Sequence, residues 1–150
     1  MENASKALII AGAILIALLI ISLGIFTFNK MSDSAKKIAN LDKEEIQAFN
    51  SKLTPYTGEN ISGSQVNSLI QYVISVNNTA VSTEDTIKII TITYPAASGG
   101  KNTISVTNGR VTYSNASASR KVKTGGSNYY KVKEEYSNDT GLINKITVEE

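Results

Sequence analysis

From Ala7 to Phe28 the chain carries no charge: Ala-Leu-Ile-Ile-Ala-Gly-Ala-Ile-Leu-Ile-Ala-Leu-Leu-Ile-Ile-Ser-Leu-Gly-Ile-Phe-Thr-Phe. As an α-helix at about 1.5 Å per residue this run measures roughly 33 Å, enough for a bilayer core of about 30 Å. A buried helix of a soluble domain rarely stays apolar on every face for so long. A cleaved signal peptide has an apolar region of about 7–15 residues that ends in a small-x-small site. This run is longer and exits through Phe26, Phe28, Asn29 and Lys30. The expectation is a retained single-pass anchor over residues 1–30.

Orientation is set by two opposed signals. The amino-terminal side offers the α-amine and Lys6, the other side Lys30, Lys36, Lys37 and Lys43. Counted literally, the positive-inside rule places the remainder in the cytoplasm. That remainder is rich in Asn, Ser, Thr and Tyr and the chain has no cysteine, a composition compatible with display outside the cell. The adopted reading puts the carboxy-terminal domain at the cell surface, and labelling of an introduced Ser117→Cys decides it. Within the span, Ala13, Ala17 and Gly24 share one stripe, and Ala7 and Ala11 form a second small-xxx-small pair. Small residues let helices approach closely in lipid, although they are frequent in any membrane helix.

Residues 31–40 read as a polar linker or a frayed helical extension. Residues 41–150 then read as one small α+β domain, which at about 110 residues can hold a modest core. Asp42 and Glu45 have capping-box spacing, with Leu41 and Ile46 as the hydrophobic staple. Ile46, Phe49 and Leu53 form a helical stripe that Pro55 ends. Ser62 and Gln65 repeat the box, with Ile61 and Val66 as the staple. Val66, Leu69, Ile70 and Val73 share a face, and Asn77-Asn78 is expected to stop that helix. Tyr56-Thr57-Gly58 is expected to turn between the two helices.

The rest reads as about five antiparallel strands. Thr86 to Tyr94 is dense in Ile and Thr, with a change of apolar phase between Ile89 and Ile90 that implies burial on both faces or a bulge. Asn108-Gly109 is the signature of a two-residue type I′ hairpin, which sets Val106 opposite Val111 and Ile104 opposite Tyr113. Tyr129 to Tyr136 places Tyr130, Val132 and Tyr136 on one face. Leu142 to Val148 does the same for Leu142, Ile146 and Val148 after an Asn138-Asp139-Thr140-Gly141 turn. The expected architecture is therefore α+β: a transmembrane or filament-core helix, two short helices, then an antiparallel sheet.

Chemistry is sparse. With no histidine and no cysteine, the commonest general base, thiol catalysis, zinc ribbons and disulfides are all excluded. Gly99-Gly100-Lys101 lacks the glycine spacing and following helix of a phosphate-binding loop. Glu84-Asp85, Glu134-Glu135 and Glu149-Glu150 are adjacent pairs, so on strands their carboxylates point to opposite faces. Asn138-Asp139-Thr140-Gly141 lacks the alternating ligands and terminal Glu of a calcium loop. No enzyme activity, cofactor, metal or small-molecule substrate is expected.

One charge pattern stands out. No acidic residue lies between Asp85 and Glu134, a stretch containing Lys101, Arg110, Arg120, Lys121, Lys123, Lys131 and Lys133. Tyr113, Tyr129 and Tyr130 interleave with them. Arg120, Lys121, Lys123, Lys131 and Lys133, with Tyr129 and Tyr130, are the candidate anion-binding residues for a cell-wall polymer, nucleic acid or headgroup surface. The plainer reading pairs Lys131 and Lys133 with Glu135 or with Glu149-Glu150 across strands.

The order of an apolar amino-terminal helix, further helix and antiparallel sheet resembles type IV pilin-like subunits. That resemblance, architectural only, implies hydrophobic helices packed into a filament core with sheet domains outside. The stretch Phe49…Tyr56-x-Gly58, then Ser62-Gly63-Ser64-Gln65-Val66…Leu69-Ile70, is similar to uncharacterised signal-anchored proteins of low-GC Gram-positive bacteria. The chain departs from the pilin pattern: no basic leader ending in Gly precedes the apolar run, the fifth residue is Ser5 rather than Glu, and the carboxy-terminal cysteine pair is absent. No functional residue is carried over. Two readings of different class remain. One is a structural or assembly subunit that associates through Ala7, Ala11, Ala13, Ala17 and Gly24 with its own copies, other membrane subunits and membrane lipid. The other is a tethered module that binds an anionic polymer through its basic loop.

Overall fold

The apolar run folds as expected, within a longer helix. A computed structural model describes residues 2–150, apart from the side chains of Ser34 and Lys37. The α-amine of Met1 and the Lys37 side chain, both counted above for orientation, therefore lie outside the described residues. Helix α1 runs Glu2–Ala39, so the segment read as a linker is its helical extension. Thr27 stays compatible with the span because its hydroxyl donates to the Leu23 carbonyl at 2.8 Å. The helix forms one unit with residues up to Ala39, and Asn40–Glu150 forms a second compact unit.

The second unit starts with α2 (Lys43–Ser51). Asp42 takes the N-cap conformation and its carbonyl accepts from Ile46 N–H at 3.1 Å, but its side chain makes no capping bond. The expected box at Asp42 and Glu45 is thus absent, because Glu45 turns to Lys88 instead, at 2.7 Å. Pro55 sits in a short 3₁₀ turn, Thr54–Tyr56. The next element is a strand, β1 (Gly58–Ser62), where a turn between helices was expected. Its residues have little intrinsic strand preference, and pairing with a neighbouring strand overrides that.

Helix α3 (Gly63–Ser82) opens with the expected capping box: Gln65 N–H donates to Ser62 Oγ at 3.4 Å and Ser62 N–H to Gln65 Oε1 at 3.1 Å. It runs through Asn77-Asn78 instead of stopping there. Asn77 is fully buried and its carboxamide bonds both backbone groups of Ile90, donating to the carbonyl and accepting from the N–H, each at 2.8 Å. A residue that ends helices by bonding its own backbone here bonds a distant one. The helix stops at Glu84, in the left-handed region at φ 54°, with Glu84 N–H on Val81 O and Asp85 N–H on Ala80 O. This is a Schellman closure without glycine.

Six strands make one sheet: β1, β2 (Thr91–Pro95), β3 (Lys101–Thr107), β4 (Arg110–Tyr113), β5 (Tyr129–Tyr136) and β6 (Ile143–Glu149), in spatial order β1-β5-β6-β2-β3-β4. The phase change at Ile89–Ile90 is neither double burial nor a bulge. It is the exit from a 3₁₀ turn, Thr86–Lys88, after which Ile90, Ile92 and Tyr94 are fully buried. The Asn108-Gly109 hairpin has the expected register, with φ of 52° and 68° at its two central residues.

The sheet is mixed rather than antiparallel, for a topological reason. β1 and β2 run in the same direction, joined through α3, and the β5–β6 hairpin inserts between them. One junction of an inserted hairpin must then be parallel, and it is β6 against β2. Val66, Leu69, Ile70 and Val73 of α3 pack with Ile92, Tyr94, Ile104, Val132 and Ile146 of the strands, and every core residue lies between Leu53 and Val148. The opposite sheet face carries hydroxyls and charges, for example Thr93 and Thr103 with oxygens 3.0 Å apart.

Two bulges modify this sheet. Between Gly58 and Ile61, β1 holds one residue more than β5, and Asn60 takes φ 61° there. Such a kink discourages further pairing at an edge strand. Between Ile143 and Lys145, β6 holds Asn144 in excess of β5. Ile143 and Ile146 can therefore both be buried while Asn144 and Lys145 between them are exposed.

Candidate functional site

The basic stretch resolves into two unlike places. Residues 114–128 form a long connection laid over the core and tied down by side chains from remote segments. Asn67 accepts from Val122 N–H at 2.8 Å, Ser98 Oγ accepts from Ser119 N–H at 2.8 Å, and Ala97 N–H donates to the Lys121 carbonyl at 2.8 Å. Ala118 and Val122 are buried beneath it. The connection also lies hard against the first turn of α3, where a Cβ on Gly63 would collide with the Lys123 carbonyl oxygen. From this fixed backbone the side chains of Arg120, Lys121 and Lys123 project into solvent. Arg120 stacks over the Tyr113 ring at 4.3 Å, a cation–π contact. Among the described residues these three cations form no ion pair with a carboxylate.

Lys131 and Lys133 lie elsewhere, on the polar face of β5. Lys131 pairs with Glu59 at 2.5 Å and Lys133 with Glu149 at 2.6 Å, beside a third pair of Lys145 with Glu135 at 2.8 Å. The plainer reading of these two lysines as cross-strand pairs holds, with Glu59 of β1 as a partner not foreseen. Tyr129 is 55% exposed, but Tyr130 is only 2% exposed. The Tyr130 ring belongs to the core, and its hydroxyl donates to the Lys123 carbonyl at 3.0 Å. Strand alternation separates the two tyrosines, so Tyr130 presents no ring to a ligand. Burial raises the Tyr130 phenol pKa, which keeps the donor protonated.

The acidic tail joins the basic stretch in space. Parallel pairing puts the carboxy-terminal ends of β6 and β2 at the same edge of the sheet. There Lys101, just after the β2–β3 turn, acts with Lys133 to lower the Glu149 pKa, the Lys133 hydrogen bond being the main cause. The Lys131 hydrogen bond likewise lowers Glu59. A lowered carboxyl pKa stabilises the fold above the ordinary value of 4.5, and that contribution is lost as pH falls through the lowered value. On acidification below about pH 4.5 the domain is expected to lose a small part of its thermal stability through these pairs. The Glu59→Gln, Glu149→Gln double variant should show a shallower decline and less sensitivity to salt. Identical pH profiles for variant and parent would refute the assignment.

On α1, Ala7, Ala11, Ala13, Ala17 and Gly24 are all exposed, and a Cβ on Gly24 would meet nothing within 4 Å. The helix is long and apolar enough to cross a membrane over Glu2–Asp33, and none of its most apolar window is buried within the chain.

Sequence reasoning missed one concavity. At the β5–β6 turn, an open polar depression of about 480 Å³ is bordered by Tyr136, Asn138, Asp139, Asn144 and the Lys145–Glu135 pair. Tyr136, expected to share a face with Tyr130 and Val132, is 51% exposed at the last position of β5, where the pairing with β6 shifts register. The detectable signal was two polar residues, Asn144-Lys145, between Ile143 and Ile146, a break of strand phase. Asn138–Gly141 is the expected hairpin turn, closed by Ser137 N–H on Leu142 O at 2.8 Å. Among the described residues no group of three or more acidic side chains is placed to hold a metal ion. Comparison with protein-family models, curated proteins and solved structures finds no match.

Proposed function

We propose that the chain is a non-catalytic, membrane-anchored structural or assembly subunit that displays its α+β domain on the cell surface and associates through α1. The observation that carries this reading is the unburied apolar span beside a domain whose core closes without it. Exposed apolar surface of that extent needs lipid or other helices around it. The small residues Ala7, Ala11, Ala13, Ala17 and Gly24 support helix–helix contact, and the pilin-like order of elements supports a filament as the assembled form.

Negative-stain microscopy of sheared cell-surface material tests this directly, with filaments containing the chain as the expected result. Ala13→Leu with Ala17→Leu should impair assembly while leaving membrane attachment intact. Detergent-soluble monomers only, or assembly unchanged by the leucines, would sink the proposal. Labelling of Ser117→Cys by an impermeant reagent on intact cells is expected under the surface orientation.

A second reading is favoured by Arg120, Lys121 and Lys123 lacking carboxylate partners, among the described residues, on a fixed backbone. As a tethered binder of anionic polymer, the chain would lose affinity steeply with rising salt. Salt-independent binding would exclude it.

A further inference from the structure

The depression at the β5–β6 turn has a chemistry that the assembly reading does not use. Its border combines one exposed aromatic ring, Tyr136, with the side chains of Asn138, Asp139 and Asn144. None of those three side chains forms a hydrogen bond to a described residue. The Asn amides are planar donor–acceptor groups and Asp139 adds acceptors. Lys145 is held by Glu135 at 2.8 Å, which leaves Asp139 as the rim's charged side chain without an ion-pair partner among the described residues. The Tyr136 hydroxyl donates to Glu134 Oε1 at 3.3 Å, which restrains the ring. The geometry is a built one. The extra residue of the β6 bulge is Asn144 itself, and Tyr136 lies beside it, opposite Ile143. Bulges commonly re-aim side chains at functional sites.

We propose that this depression binds a neutral oligosaccharide. A sugar ring offers an apolar C–H face and a rim of hydroxyls. The C–H face matches the Tyr136 ring, and the hydroxyls match the amides and carboxylate around it. The alternatives fit less well. An acyl chain or other apolar ligand finds no apolar wall, since the bordering residues are polar apart from the Tyr136 ring. A simple anion finds Lys145 already paired, and a divalent cation finds only Asp139 as a free carboxylate at this rim.

The test is saturation-transfer NMR on the full chain in a detergent without a sugar headgroup. The probes are cellotetraose, maltotetraose and chitotetraose at millimolar concentration. At least one should receive saturation from the protein. Tyr136→Ala should lower affinity by about tenfold or more, while Tyr136→Phe, which keeps the ring, retains binding. Asn144→Ala should weaken binding, and Tyr129→Ala, an exposed tyrosine outside the depression, should leave it unchanged. Circular dichroism confirms that each variant is folded. If Tyr136→Ala does not fold, Asn144→Ala and Tyr129→Ala carry the comparison. No transfer to any of the three sugars overturns the proposal, as does binding that survives Tyr136→Ala or Asn144→Ala in the folded protein. Either result leaves the assembly reading untouched.

Discussion

Replacing Asn77 by alanine is expected to cost the carboxy-terminal domain about 3 kcal/mol or more, the largest loss from any single polar side chain in it. Its amide holds both Ile90 N–H and Ile90 C=O in a site with no water access. Truncation leaves two buried backbone groups unpaired, at about 1–3 kcal/mol each. For a domain of this size that corresponds to a drop of roughly 10–20 °C in the unfolding midpoint. Near-UV circular dichroism of the tyrosines reports the domain without interference from α1, which has none. Asn78→Ala, one residue along on the exposed side, is expected to stay within about 0.5 kcal/mol. Asn77→Asp separates the two bonds: the carboxylate accepts from Ile90 N–H but repels the Ile90 carbonyl. Burial raises that carboxyl's pKa, so the variant should partly recover as pH falls and the protonated acid becomes a donor. A loss for Asn77→Ala no larger than for Asn78→Ala would refute the role.

The second large effect concerns the anchor. Leu15→Arg with Leu19→Arg places two cations near the middle of the apolar run. Each costs about 2.5–3.5 kcal/mol on insertion scales, so the pair costs roughly 6 kcal/mol. The double variant is expected to leave the membrane fraction under alkaline extraction, which the parent chain resists. The domain's own unfolding midpoint should not change, because its core draws on no residue of α1. Full retention of the double variant in the membrane would remove the basis for an anchor.

Legibility followed the range of the interactions. The Ser62–Gln65 box and the Asn108-Gly109 turn depend on residues no more than three positions apart, and both formed as spacing implied. Asp42 had the same spacing, but Lys88 lies 43 positions from Glu45 and captured it. Asn77 had the composition of a helix end, and a partner 13 residues away turned it into a helix interior. Three carboxamides repeat that device. Asn50 grips Gly141 O and Ile143 N–H, Asn67 grips both backbone groups of Val122, and Asn77 those of Ile90. Each imitates a peptide group, so each docks a helix to a remote segment as a strand neighbour would. Sequence spacing carries no trace of such pairing.

The candidate residues divide in the same way. Exposure of Arg120, Lys121 and Lys123 follows from their charge. Burial of Tyr130 beside exposed Tyr129 follows from strand alternation. The depression around Tyr136 needed the bulge at Asn144, which depends on the register between β5 and β6.

Residue content and local period were enough for the apolar span, the α+β class, and the exclusion of histidine and thiol chemistry. Insertion of the β5–β6 hairpin between β1 and β2 was settled by long-range pairing alone. That insertion makes one junction parallel, brings Glu149 to Lys101 and Lys133, and turns a basic stretch and an acidic tail into neighbours. The physical reason is that backbone pairing is indifferent to distance along the chain. Charges separated in sequence were joined by strand order, which no local pattern encodes.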